Sequence, residues 1–358
     1  MANEDLAAFL SSVSGEDVLA VEESFGAGYV RLRTAEAERR QAKHDIRCVE
    51  DIVIEMLRNA RDAHARNVYV ATGRSENTRT LVFLDDGCGI PPAMHERIFE
   101  PRVTSKLESM VMDRWGVHGR GMALYSIKCN TTQARVFSSG QGLGSAIGVC
   151  ADVDVLPEKA DQSSMPQLAK SEEGELVVAR GPHNIARTAV EFALEEAGQV
   201  TVYLGSVADI VATLVQRGRR QLDDKQLLFC DDVGELPVCQ RPGAASDAAE
   251  LVQICAGLGL GISERTAHRV LAGQLTACTP PLKQLTRHAS RQHAVKPADL
   301  YKDGRGLKIA GDDLARFSSA VEGAFAPLAQ RYYLGLAGKP KVRVGKDSIT
   351  VTLPIEKH

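Results

Sequence analysis

An excess of charge of either sign is missing from this 358-residue chain: 43 Lys and Arg oppose 46 Asp and Glu, a net of -3. The molecule as a whole is therefore not an electrostatic nucleic-acid binder, although a local basic patch is compatible with that balance. Also missing is any apolar run near the ~20 residues that a membrane span needs. The first ten residues hold Glu4 and Asp5 but no basic residue, the wrong charge for a secretory signal. The eight cysteines, at 48, 88, 129, 150, 230, 239, 255 and 278, form no CxxC pair, which excludes the usual zinc-site spacing. Several lie in apolar stretches, where buried thiols are common. A reducing cytoplasm is the expected compartment. No internal repeat has a convincing period.

What is present is ordinary in bulk. Hydrophobic residues make up 44% and charged residues 25%, as in a typical folded domain. The length allows two domains, each with its own core. Three blocks are expected: a first domain over 1–155 that holds every strong motif, a polar linker or loop over 156–175, and a second domain over 176–358. In the third block, Asn184 to Glu196 has helical spacing, Val200 to Leu204 reads as a strand, and Val207 to Val215 returns to helix. Gln226 to Cys230 reads as a further strand, giving a β-α-β rhythm. After Pro242 the chain looks helical to about Tyr333, and a hairpin is expected over Lys341 to Leu353.

The segment Asp51 to Ala63 places Ile52, Val53, Met56, Leu57 and Ala60 on one helix face, which is expected to be core. Glu55, Asn59 and Asp62 follow the i, i+4, i+7 spacing and share another face. A carboxylate and an amide one turn apart can hold a magnesium ion and a water, since magnesium takes few protein oxygens plus phosphate oxygens. Taken alone, the same spacing also describes a solvated polar stripe.

Leu81 to Leu84 reads as a buried strand that runs into Asp85-Asp86-Gly87-Cys88-Gly89-Ile90-Pro91. Glycines after a strand-end aspartate let the backbone turn tightly and admit a ligand closely. The aspartate can accept a hydrogen bond from an exocyclic amine such as adenine's, although Asp-Gly is also common in plain turns. Downstream come Phe99-Glu100-Pro101, Thr104-Ser105-Lys106, and then Trp115 to Ile127 with Gly119-Arg120-Gly121-Met122 before an apolar helix. Glycines ahead of a helix make a backbone-amide cradle suited to phosphate.

These four motifs, in this order, resemble the GHKL superfamily, the ATP-binding fold shared by histidine kinases, type II topoisomerases and mismatch-repair ATPases. "ERIFEPRVTSK" and "GRGMALYSIK" are similar to histidine kinases, and "VHGRG" is closer to gyrase and mismatch-repair ATPases. The resemblance implies an α+β fold, a two-layer α/β sandwich, followed by a mixed α/β to mostly helical region. It implies ATP and Mg2+ as ligands. Asn59 matches the magnesium-binding asparagine, with Glu55 reaching the ion through water. Glu55 also matches the acid that activates the attacking water. Asp62 matches a second acid beside the nucleotide, and Asp85 matches the adenine-reading aspartate. Gly87, Gly89 and Ile90 shape the pocket floor. Gly119, Arg120, Gly121 and Met122 match the phosphate loop, Lys106 a lysine that opens the lid over 107–117, and Ser145 the late strand beneath the adenine. "SITVTLP" near the end loosely resembles the closing strand of a histidine-kinase ATP domain. The chain departs from the pattern at Asp86, where asparagine is commoner, at Val117, where many kinases have glycine, and at Arg120, where an apolar residue is usual.

An orthodox sensor kinase needs a dimerising hairpin with a phosphoacceptor histidine. His44, eleven residues before Glu55, leaves no room for one and reads as a surface or packing histidine. The expectation is a slow Mg-dependent ATPase that couples nucleotide state to a switch, with a kinase acting on a separate partner as the alternative and an ATP-dependent homodimer compatible with either. A third reading is DNA-linked. Residues 251–273 fit a helix-turn-helix in which Ser263 caps a helix bearing Glu264, Arg265, His268 and Arg269. Ile262 to Lys308 carries nine Lys and Arg against three Asp and Glu. A DNA or protein partner through 251–308 and a packed αα-hairpin both satisfy this pattern.

Overall fold

The computed structural model describes residues 21–33, 36–105, 111–113, 116–118, 121–171, 175–222, 232–286, 311–344 and 349–357. Two units are distinguished, residues 1–289 and 290–358.

The first unit is organised by a five-stranded sheet. Its strands are β3 (Asn67–Ser75), β4 (Thr78–Asp85), β8 (Gln133–Ser139), β9 (Ser145–Asp152) and β12 (Thr201–Gly205), in the order β12-β3-β4-β9-β8. All neighbours are antiparallel except β12 and β3, which run parallel. Before the sheet, β1 (Val21–Gly26), β2 (Tyr29–Leu32) and β5 (Val103–Thr104) make a small three-stranded sheet. Helices α1 (Glu36–Asp45) and α2 (Val49–Asp62) follow β2.

Alternation along the strands determines where the cores lie. Val68, Val70, Leu81, Phe83, Ile147 and Val149 point to one face, with Ile52, Val53, Met56 and Leu57 of α2 packed on them. Tyr69, Ala71, Val82, Leu84 and Ala146 point to the other face, and they too are buried. Burial on both faces is why these strands read as continuous apolar runs. At its start, α2 is held by Asp51, whose carboxylate accepts the backbone N–H of Arg47 at 2.8 Å and of Cys48 at 3.2 Å.

The expected α+β sandwich is present, but the expected boundary at 155–175 is corrected. β12 adds an edge to the same sheet, and α4 (Ile185–Glu195) packs beside α2 on the first face. The second face is covered by α5 (Val207–Gln221), α6 (Arg241–Ala244), α7 (Ala248–Gly257) and α8 (Glu264–Leu271). The described elements between 176 and 271 therefore extend or cover the same sheet.

The segment 156–175 is no loose linker. Pro157 O accepts the Val49 N–H, Glu50 accepts from Lys159 N and Gln162 Nε2, and Glu158 pairs with Arg79 and Arg74. Further on, β10 (Gln167–Lys170) pairs with β11 (Leu176–Arg180), and Asn184 ties this stretch to α4 through Asp161 O and Ser164 O. These anchors are polar, so no apolar period betrayed them.

The expected strand over Gln226 to Cys230 lies outside the described residues. In the second unit, α9 (Gly311–Tyr332) leads to β13 (Leu334–Leu336), paired with β16 (Ile355–Lys357), and to β14 (Lys341–Val344), paired with β15 (Ile349–Thr352). The expected terminal hairpin is there. Within the second unit, Ile349 to Thr352 of "SITVTLP" form β15, which pairs with β14.

Candidate functional site

A cavity of about 710 Å³ lies between α2, the inner ends of β4 and β9, and the start of α3 (Ala123–Cys129). Glu55, Asn59, Asp62, Asp85, Gly89, Ile90, Gly121, Met122 and Ser145 all line it. Gly87 is not on the wall, but its N–H donates to Asp85 Oδ1 at 2.8 Å. Lys106, Gly119 and Arg120 lie outside the described residues. Of the expected lid over 107–117, the structure describes only parts of a short ladder, β6 (Val111–Asp113) with β7 (Gly116–His118).

Asp85 is the most enclosed carboxylate on the wall. It ends β4, directly opposite Ser145 in the ladder with β9, and it is 7% exposed. Ser145 Oγ donates to Asp85 Oδ2. Burial pushes the Asp85 carboxyl up to about 6, while the Ser145 hydroxyl and the Gly87 N–H pull it back and Asp86 pushes it further up.

The turn after Asp85 is braced from behind. Gly89 has φ +70°, and a Cβ there would stand 1.9 Å from Gly140 O. Gly144 has φ +77°, and a Cβ there would stand 2.1 Å from Asp85 O. Only glycine satisfies both the backbone angle and the space at these two positions. Ser139 Oγ joins the two turns, accepting from Ile90 N at 2.7 Å and donating to Gly144 O at 2.7 Å.

On α2 the polar residues behave differently from one another. Asn59 Nδ2 is buried with no hydrogen-bond partner among the described residues. A buried amide left unpaired is costly, and this one stands on the wall of an open cavity. Glu55 Oε1 accepts from Arg58 Nη1 at 2.5 Å, and the two side chains are 21% and 4% exposed. Asp62 pairs with Arg61 at 3.1 Å, and Arg61 also reaches Glu196 beyond α4 at 3.0 Å.

The motif reading missed several neighbours. Val68, Phe83, Met56, Ile98 and Ile147 supply an apolar wall, and Tyr29 arrives from the β1–β2 hairpin. Burial raises the Tyr29 pKa against a lowering hydrogen bond from Ser105. Arg58 was visible only as one more residue between Glu55 and Asn59. His44 is exposed and stands at the cavity wall, a position helical periodicity does not reveal. Glu100 pairs with Arg31 of β2, so Phe-Glu-Pro locks the small sheet. Asp86, the departure after the motif aspartate, accepts from the N–H groups of Arg66 and Asn67, both at 2.8 Å.

The expected helix-turn-helix segment contains α7 and α8. Ser263 caps α8 by accepting from Thr266 N at 3.3 Å. Ala267 and Val270 are buried, while Glu264, Arg265, His268 and Arg269 are exposed. The basic stretch beyond residue 286 and up to Lys308 lies outside the described residues.

Residues 44–148 match the family model of the histidine kinase-, DNA gyrase B- and HSP90-like ATPases. The match runs from His44 through α2, Asp85 and Gly121 to β9, so it spans nearly all of the cavity wall. Over residues 44–148 the chain is thus similar to the GHKL-type ATPase or kinase domain, a likeness that supports ATP binding. No curated protein matches the chain.

Proposed function

We propose, taking residues 44–148 as a GHKL-type ATPase domain, that the cavity binds ATP with magnesium and hydrolyses it slowly, and that nucleotide occupancy acts as a switch. The observation that carries this reading is the placement of Asp85 and Asn59 on one cavity wall. Asp85 is a buried acceptor at the floor, and Asn59 Nδ2 is buried with no partner among the described residues.

The exocyclic amine of adenine donates to Asp85, which must be ionised to accept without competition from its own proton. Val68, Phe83, Met56 and Ile147 take the faces of the base. The donor set also fits magnesium. Among the described residues no group of three His, Cys, Asp or Glu forms a cage, and magnesium on a nucleotide takes few protein oxygens. Asn59, with Glu55 through water, would hold the ion, which neutralises phosphate charge.

Glu55 is the base of this proposal. Arg58 Nη1 donates to its carboxylate at 2.5 Å and holds it in place. Phosphoryl transfer to a separate partner is the alternative, and radiolabel appearing on a second protein with little phosphate released identifies it.

The exposed Arg265, His268 and Arg269 on a capped helix support a second reading, an interaction surface over 251–308 for DNA or a protein. A cytoplasmic setting is compatible with the scattered cysteines, and so is an ATP-dependent homodimer. No helix among the described residues is long and apolar enough to cross a membrane. Calorimetric titration with a non-hydrolysable ATP analogue tests the central reading.

A further inference from the structure

The helical layer on the far face of the sheet reaches the cavity through one chain of polar contacts. The β3–β4 ladder ends at the pair Val68 and Asp85. Beyond it the turn is held by side chains. Asp86 Oδ1 accepts from Arg66 N and Asn67 N, both at 2.8 Å, and Asp86 Oδ2 accepts from Asn67 Nδ2 at 2.7 Å. Asn67 Oδ1 in turn accepts from Arg217 Nη2 at 3.0 Å. Arg217 belongs to α5, 150 residues further along the chain. Its other two nitrogens donate as well, Nε to the Tyr69 hydroxyl at 2.8 Å and Nη1 to the Tyr203 hydroxyl at 2.6 Å. The two tyrosine rings stack with centroids 4.8 Å apart.

Asn67 is the hinge of this chain. An amide offers one acceptor and one donor end, and its orientation is set by its partners. Arg217 can meet only the oxygen, so it forces the nitrogen toward Asp86. Without Arg217 the amide keeps only its bond to Asp86 and loses the second of the two partners that fix the Asn67 side chain. That loosens the turn immediately after Asp85.

We propose that Arg217 is a positioning residue for the nucleotide site, acting through Asn67 and Asp86 to aim Asp85 and thereby linking α5 to nucleotide occupancy. The inference rests on the reading that Asp85 meets the base. Linkage is reciprocal, so nucleotide must tighten α5 by as much as α5 tightens nucleotide.

The test uses the full chain, a non-hydrolysable ATP analogue with magnesium, calorimetry and amide hydrogen exchange. Arg217→Met is expected to weaken binding on the order of tenfold, within the range seen for coupled residues remote from a ligand. Asn67→Ala is expected to do the same, and Arg217→Met is expected to add nothing further in that background. Tyr69→Phe with Tyr203→Phe keeps the Arg217–Asn67 bond, so it lowers the melting temperature while affinity stays within about twofold. Analogue slows exchange in α5 of the wild type but not of Asn67→Ala. If Arg217→Met does not fold, Asn67→Ala and its exchange response decide. Wild-type affinity in Arg217→Met, additive losses in the double variant, an exchange response kept in Asn67→Ala, or an equal affinity loss in the tyrosine pair each overturn the inference alone. A wild type that binds no adenine nucleotide overturns the functional reading and this inference with it.

Discussion

Asp85 and Ser145 face each other across the β4–β9 ladder, and the serine hydroxyl donates into the carboxylate at the floor of the cavity.

That arrangement makes stability depend on pH. Burial raises the folded-state pKa of Asp85 from 3.8 to about 6. The folded protein therefore holds this proton more tightly than the unfolded chain does. The contribution is fully present below about 3.8 and is lost as pH rises through about 6. The gap corresponds to about 3 kcal/mol. Asp85→Asn carries no charge to bury, so urea unfolding should show it more stable than the wild type at pH 8, with the gain fading toward pH 4. Equal or lower stability at pH 8 would contradict this.

Glu55 carries the second prediction. A positioned base contributes roughly 10²–10⁴ in rate, so Glu55→Gln should lower phosphate release by that order while leaving analogue affinity largely intact. Arg58 sits on the same carboxylate. Unchanged turnover in purified Glu55→Gln would remove the base assignment.

The shared sheet gives the third. A fragment ending at residue 155 lacks β12, α4, α5, α7 and α8, and it leaves Tyr69, Ala71, Val82, Leu84 and Ala146 without cover. It should aggregate or fail to give a cooperative melt, whereas residues 1–289 should fold. Within that longer unit, Leu251→Ala should cost about 2–5 kcal/mol, as for other buried leucines. A fragment of 1–155 that melts cooperatively would show that the far layer is dispensable.

The cavity residues were legible because they sit in short motifs whose chemistry is local: an acid and an amide one helical turn apart, and an aspartate before glycines. The sheet's second cover was legible in principle. "LVFL" in β4 and "VYVA" in β3 are apolar on both faces, which a two-layer sandwich with one open face does not require. What hid it was distance, because the covering helices begin more than 120 residues after β4. The polar stretch at 156–175 misled for another reason. It is held by Glu50, Arg79 and Asn184, whose contacts leave no periodic trace. Arg58 and Arg217 were invisible for the same cause, since a lone arginine does not show its partner.

The fourth prediction concerns α8. Exposed Arg265 and Arg269 should make the first contacts if the segment meets DNA, and binding should then weaken steeply with salt as counterions are released. Gel shifts with duplex DNA at low and moderate salt, with and without ATP analogue, should lose the complex on changing both to alanine. No shift at micromolar protein in any condition would leave a protein partner as the better reading of this surface.

The most direct test of the central claim is calorimetric titration of the wild type and Asp85→Ala with a non-hydrolysable ATP analogue and magnesium. A buried acceptor lost against a donor costs about 1–3 kcal/mol. The account therefore predicts clear binding by the wild type and at least a several-fold loss in Asp85→Ala, with the wild-type affinity itself falling as pH drops through about 6. Equal affinity in the two proteins, or no binding by the wild type, would contradict it.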